Sequence, residues 1–260
     1  KCYMCAGVKV AAYVIAANRA LSSIELGENV LGNEGAAAIA EALNHSRSMV
    51  EVHMWGNAIG DAGAAAIADS LGPTAVAKVA ELYLYDNLIG DKGAAALGAV
   101  LQSNSAVARI ELGGNRIGDD GAGAIAHGLR HNSGLTHLAL EKNKVGDAGA
   151  AAIGDALGSN AKLLKLAVSG NAIGSAGAVG ISRGLRLNTV LAKLWLSDNH
   201  IGDEGAMAIG EAIRLNERSA MALISLTGNK VSLAAEKSIR SRGRSRHKKI
   251  LVRLHSVKEH

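Results

Sequence analysis

Phenylalanine is absent from the 260 residues, Trp and Tyr number only two and four, proline occurs once, at Pro73, and cysteine twice, at Cys2 and Cys5. A globular core of this length would ordinarily use large aromatics, so their scarcity points to thin stacked layers of Ala, Leu, Ile and Val. One proline, with no Gly/Ser-rich or charged tract inside the body, leaves no interdomain linker. Two cysteines exclude a disulfide-stapled secreted scaffold. The C-x-x-C pair has no second Cys or Cys/His pair to complete a structural zinc site and no strand-to-helix context for redox work, so it reads as incidental reduced thiols. No metal or cofactor is expected.

Long hydrophobic runs are missing too. Residues 8–17 are apolar but interrupted by Lys9 and too short to span a bilayer. A signal-peptide core is one alternative. However, Asn18 precedes Ile24 by six residues, as Asn104 precedes Ile110, so the stretch reads as the helix of a partial first repeat. A start at Lys1 rather than Met is consistent with a piece of a longer protein. The sequon Asn44-His45-Ser46 has meaning only in a secreted chain.

The formal charge of +5 is unevenly placed: residues 237–260 carry nine Lys/Arg and one acidic residue, leaving the rest near −3. Only that end argues for an acidic partner.

What is present is repetition. Asn29, Asn57, Asn87, Asn115, Asn143, Asn171, Asn199 and Asn229 recur at intervals of 28, 30, 28, 28, 28, 28 and 30 residues. Self-similarity at such a period indicates a solenoid. Each copy opens with an alternating segment ending in the asparagine, such as VHMWGN (52–57), LYLYDN (82–87) or LWLSDN (194–199), which predicts a strand with one buried face. An aliphatic residue and usually Gly-Asp follow. Asn33, Asp61, Asp91, Asp119, Asp147, Ser175 and Asp203 are expected to cap the helix that each precedes. The GAAAIAEAL-type run after them has helical apolar spacing, with alanines that let the helix lie close to the strands.

This pattern, L-x-L-x-x-N-x-I-G-D-x-G-A-x-x-I-A-x-x-L, resembles the leucine-rich repeat family and its ribonuclease-inhibitor-like subclass, over about residues 24–240. The resemblance implies an α/β horseshoe of about eight repeats with a parallel sheet on the concave face, helices on the convex face, and the asparagines in a buried structural ladder. The expected organisation is a partial repeat or cap over 1–23, the repeat domain over 24–241 and a basic end over 242–260. Two extra residues in repeats two and seven predict larger loops near 72–80 and 215–223. The eighth helix is expected over 233–241, with Val252 and Leu254 in a capping strand.

Residues between the buried strand positions should point outward. One such column is Glu25, His53, Tyr83, Glu111, Ala139, Ala167, Trp195 and Ser225; the next is Gly27, Trp55, Tyr85, Gly113, Glu141, Ser169, Ser197 and Thr227. Both Trp and two of the four Tyr fall here. His53, Trp55, Tyr83 and Tyr85, bordered by Glu25, Glu28, Glu51, Glu81, Asp86 and Glu111, have the composition of a protein-binding hot spot, with Trp195 farther along. The alternative is cross-strand pairing that only stabilises the sheet. Lys142, Lys165 and Lys193 then replace the acids, giving an acidic-to-basic gradient.

Arg240, Arg242, Arg244, Arg246, Lys248 and Lys249 could contact an acidic protein, RNA phosphate or an anionic membrane surface, though no interleaved aromatics are present for base stacking. Strings such as GGNRIGDDGAG (113–123) imitate nucleotide loops but lack G-K-[ST], and the histidines form no HExxH. The chain therefore reads as a non-catalytic interaction module or scaffold subunit that binds a protein on the concave face, with no small-molecule substrate. Two alternatives stand beside it. One is a regulator of a nucleotide switch, since such repeats occur in activators of the small GTPase Ran and in NOD-like receptors. The other is an accessory subunit tethered by the basic end. An intracellular, cytoplasmic location is expected, with an organellar or ciliary assembly as the alternative.

Overall fold

The computed structural model describes residues 3–242 and 251–253. Helices and three-residue strands alternate: α1 (Tyr3–Ala17), β1 (Ser23–Glu25), α2 (Gly32–Leu43), β2 (Glu51–His53), α3 (Asp61–Ser70), β3 (Glu81–Tyr83), α4 (Asp91–Leu101), β4 (Arg109–Glu111), α5 (Asp119–Leu129), β5 (His137–Ala139), α6 (Asp147–Ser159), β6 (Lys165–Ala167), α7 (Ser175–Leu185), β7 (Lys193–Trp195), α8 (Asp203–Leu215), β8 (Leu223–Ser225), α9 (Leu233–Arg242) and β9 (Leu251–Arg253). The nine strands form one parallel sheet in chain order. Ile24, Val52, Leu82, Ile110, Leu138, Leu166, Leu194, Ile224 and Val252 stand in register across it. A ninth strand lies at 251–253, paired with β8, while Leu254 lies outside the described residues. The apolar N-terminal stretch is helix α1, which packs on α2 and buries Ile15.

Each repeat fills the core from three places. The central strand residue and the aliphatic two positions later (Val52 and Met54, Leu82 and Leu84) face the helices, the turn adds Ile59 or Ile89, and the helix adds Ile67 or Leu97. Ala36, Ala64, Ala94, Ala122, Ala150, Ala178 and Ala206, all at 0% exposure, let the helix starts lie tight on this layer. Helices also approach one another at glycine: a Cβ on Gly184 would sit 1.9 Å from the Gly154 carbonyl oxygen, and one on Gly128 2.0 Å from that of Gly98.

Three polar ladders tie neighbouring repeats. In the first, Asn115 Nδ2 donates to the carbonyls of Leu84 and Leu112 while its Oδ1 accepts from the Ile89 amide. The same bonds recur from Asn57 to Asn229, so the repeated asparagines are structural. Asn29 stands apart: it is exposed, and among the described residues its side-chain amide reaches only the Gly27 carbonyl.

The second ladder corrects the capping assignment. Glycines (Gly60, Gly90, Gly118, Gly146, Gly174, Gly202) occupy the cap positions of α3 to α8, and none of these six helices is capped by its own preceding side chain, whereas Ser232 before α9 accepts from the Ala235 amide. Instead the aspartate at the start of one helix caps the next. Asp91 Oδ1 accepts from the amides of Gly118 (2.7 Å) and Gly121 (3.0 Å), satisfying two orphan donors of α5. Asn33, Asp61, Asp119 and Asp147 do the same one repeat onward, and Asp203 bonds Ser232. The physical reason is that the aspartate is the first helical residue, one past the glycine cap, and lies against the following helix start, with the Asp91 Cα 2.9 Å from an ideal Gly121 Cβ.

A third ladder was not read from the sequence. Asn132, Asn160, Asn188 and Asn216, just after the helices, donate to carbonyls of the preceding repeat, and Asn132, Asn160 and Asn188 close their own turns with Oδ1. It begins at Asn104, which bonds Leu71 across the enlarged loop of the second repeat.

The assigned strands are shorter than the six-residue segments suggested. Sheet-like bonding nevertheless continues past them: Met54 and Gly56 amides donate to the carbonyls of Tyr83 and Tyr85. It ends at a residue in the left-handed region, φ 52° to 71°, at Gly56, Asp86, Gly114, Lys142, Gly170, Asp198 and Gly228, and 57° at Glu28. Glycine alternates with a side chain along this column because adjacent side chains collide. A Cβ on Gly114 would lie 2.0 Å from Asp86 Oδ1, and one on Gly228 2.0 Å from Asp198 Oδ1.

Candidate functional site

The sheet face opposite the helices carries the aromatic residues. The in-register pairing of β2 with β3 sets His53 beside Tyr83, and the bonds beyond the strands set Trp55 beside Tyr85. Both pairs stack: His53 and Tyr83 with centroids 4.2 Å apart and planes at 7°, Trp55 and Tyr85 with centroids 5.3 Å apart and planes at 6°. All four side chains are half-buried.

Trp55 is held from three sides. Its Nε1 donates to Glu25 at 3.0 Å, one face meets Tyr85, and the Nε1–Cε2–Cζ2 edge of the indole lies over Gly27, where a Cβ would come within 2.3 Å. Only glycine at position 27 leaves room for this indole. His53 stands between Glu25 (Nδ1, 3.5 Å) and Glu51 (Nε2, 3.6 Å). Tyr83 donates its hydroxyl proton to Glu81; burial first, and then that bond, push its phenol up to about 12. Burial and the surrounding carboxylates of Glu25, Asp86 and Glu111 raise Tyr85 as well.

The acidic rim needs one correction. Arg109, in the column before the central strand residue, sits between two of its members, with Nε 3.1 Å from Glu81 and Nη1 3.0 Å from Glu111. These two acids therefore share one guanidinium within the protein, whereas Glu28 and Asp86 are exposed. Glu51, Glu81, Lys165 and Lys193, which the sequence already singles out, belong to this third column, whereas its members Arg109 and His137 were not among the sequence-predicted residues. The period that placed the other two columns would have found them.

Beyond Glu111 the face changes. Ala139 and Ala167 occupy outward positions yet are only 5% and 8% exposed, because taller neighbours shade them. They floor a cavity of about 400 Å³ walled by Glu111 and Arg109 on one side and Trp195 on the other. Glu141 reclines toward Gly113, and burial raises its carboxyl to about 7. His137 bonds Thr136 through Nδ1 at 2.7 Å, its Nε2 is buried without a partner among the described residues, and burial together with the Arg109, Lys165 and Lys193 charges lowers its pKa. Trp195 thus stands apart from the repeat-two aromatics, on the far wall of this cavity. Farther on, Ser197, Ser225 and Thr227 bond one another.

Of the basic end, Arg240 and Arg242 fall in the last turn of α9, while Arg244, Arg246, Lys248 and Lys249 lie outside the described residues. Cys2 lies outside them too. Among the described residues no group of three His, Cys, Asp or Glu side chains is placed to hold a metal ion, and no helix is long and apolar enough to cross a membrane.

Comparison with known proteins agrees with the repeat architecture. The family model described as "Leucine Rich repeat" matches residues 17–40, 45–68, 107–126, 131–154, 159–182 and 187–210, together more than half of the chain. Among solved structures the chain is similar to the actin-binding site 2 of leiomodin-1 (22% identity, 46% of this chain and 70% of that one, TM-score 0.38). It is also similar to the tropomodulin C-terminal domain of Caenorhabditis elegans (12% identity, 57% and 90%, TM-score 0.47). No curated protein sequence matches it. With the period, the ladders and six matched repeats in agreement, the chain belongs to the leucine-rich repeat family.

Proposed function

We propose that this chain is a non-catalytic protein-interaction module that binds a partner protein through the open sheet face, which the family resemblance makes the concave one. Trp55, Tyr85, His53 and Tyr83 are the anchors, and Glu51, Glu81, Asp86 and Glu111 form the rim. The observation that carries the reading is the fixation of Trp55 by Glu25, Gly27 and Tyr85 while it remains half-exposed. A large aromatic already held in one rotamer loses little entropy when a partner covers it, and such residues dominate binding energy. Merely structural stacking would not require a glycine pit in the neighbouring repeat. The ribonuclease-inhibitor-like subclass is part of this proposal, supported by the 28- to 30-residue period and a full helix in each repeat.

The test is recovery of a partner from native extract with the full chain, compared with Trp55→Ala/Tyr85→Ala and with Gly27→Ala, which displaces the indole without removing it. Both variants should lose the partner while melting within a few degrees of the parent. Undiminished recovery with correctly folded variants refutes the site.

A further inference from the structure

The aromatic patch leaves the middle of the same face unused, and its chemistry differs. Between the Glu111 side chain on β4 and the Trp195 indole on β7 the outward column drops to two alanines, opening the cavity of about 400 Å³. Three strand spacings separate its walls, about 14 Å, which is room for one bulky side chain. The floor is methyl groups and the far wall is an indole, while the Glu111 and Glu141 carboxyls stand on the β4 side, so the part of the well beside Trp195 favours an apolar or aromatic occupant.

Charge selects the flanks of that occupant. Lys165 and Lys193 face each other in register on β6 and β7, and neither has an ion pair among the described residues. Like charges directly opposite across two strands repel. The other nearby cation, Arg109, is occupied by Glu81 and Glu111. An anion between the two lysines would relieve the repulsion, whereas a cation would add to it.

We infer that the well is a second subsite of the interaction face, taking a bulky apolar side chain of the partner with an adjacent carboxylate between Lys165 and Lys193. The occupant is an acidic segment of a protein. This rests on the reading of the open face as a protein-binding surface and adds what that surface recognises.

The experiment uses the full chain carrying Trp55→Phe, so that Trp195 is the only tryptophan and reports on the well. The probes are acetylated Gly/Ser octapeptides centred on Glu-Phe-Glu, with Glu-Ala-Glu and Lys-Phe-Lys as controls, and a short oligouridylate. Glu-Phe-Glu should change Trp195 emission saturably and bind at least about tenfold more tightly than either control peptide, a difference of about 1.4 kcal/mol. Lys165→Gln/Lys193→Gln and Ala167→Leu, which fills the well, should each weaken it by about as much. The lysine pair lies at the surface, so that variant remains informative even where Ala167→Leu disturbs folding. Equal affinity for Lys-Phe-Lys, no Trp195 response to Glu-Phe-Glu, no effect of the lysine changes, or tighter binding of the oligouridylate would each overturn the assignment. Partner loss on Trp55→Ala/Tyr85→Ala with peptide binding intact supports both subsites. Intact partner recovery in that variant, with peptide binding to the well, removes the aromatic anchors and leaves the well standing.

Discussion

Ser175 is the weak rung of the inter-repeat capping ladder, and replacing it should stabilise the protein. Its hydroxyl accepts from the Gly202 amide at 3.0 Å, whereas Asp147 one repeat earlier accepts from both Gly174 (2.7 Å) and Gly177 (2.8 Å). The Gly205 amide is therefore left without the bond its counterparts receive. The backbone around it matches those counterparts, since the Cα of Ser175 stands 2.9 Å from an ideal Gly205 Cβ, as Asp147 does from Gly177. An aspartate at 175 can reach both amides without rearrangement. A helix cap contributes about 0.5–2 kcal/mol, and a carboxylate at a helix N-terminus about 0.3–1 kcal/mol. Half of the cap is already made, so Ser175→Asp should gain about 1 kcal/mol, a rise of about 2–4 °C in Tm for a chain of this size. Ser175→Asn separates the two contributions, because Asn33 already caps Gly60 and Gly63 with a neutral amide. It should recover the hydrogen bond and fall short of aspartate by the charge–dipole share, with a gap that narrows in high salt. Urea titration and calorimetry measure both. Unchanged or lowered stability in Ser175→Asp, alongside a clear loss in Asp91→Ala, would refute the additive ladder.

Three further outcomes follow from the geometry. Gly184→Ala should destabilise by about 3 kcal/mol, because its Cβ would meet the Gly154 carbonyl at 1.9 Å and backbone cannot yield as a side chain does; chemical denaturation checks it. Lys142→Gly should stabilise by about 0.5 kcal/mol, since it relieves a left-handed lysine (φ 52°) at the expense of chain entropy, also read by denaturation. Glu141→Gln should be neutral to within a few tenths at about pH 4.5 yet more stable by on the order of 1–3 kcal/mol at about pH 8. The sign follows from burial, reinforced by Glu111 and opposed by Lys142, which raises the folded carboxyl from its ordinary 4.5 to about 7. The penalty of ionising it in the folded state is absent below the lower value, grows between the two and is complete above the higher. A pH series of melting curves for both proteins measures it.

Much of this protein was legible because repetition converts sequence position into spatial position. A period of 28 residues places Ile24 against Val52 and, two residues longer in the second repeat, Val52 against Leu82, so the buried register and the neighbours His53 and Tyr83 follow from counting. The alternation put both Trp outside a core of aliphatics, and the asparagine column announced its ladder. Tertiary structure decided what counting leaves degenerate. Asp, or Asn33 or Ser175 in its place, stands at the start of its own helix in seven copies, so sequence cannot distinguish capping in place from capping one repeat onward; only the stacking of the repeats brings Asp91 to Gly118. The ion pairing of Arg109, the glycine pit beneath Trp55 and the well above Ala139 and Ala167 depend on how far side chains reach across neighbouring strands. Reach and shading are properties of the assembled sheet, set by the sizes of residues 28 or 30 positions apart rather than by any one repeat.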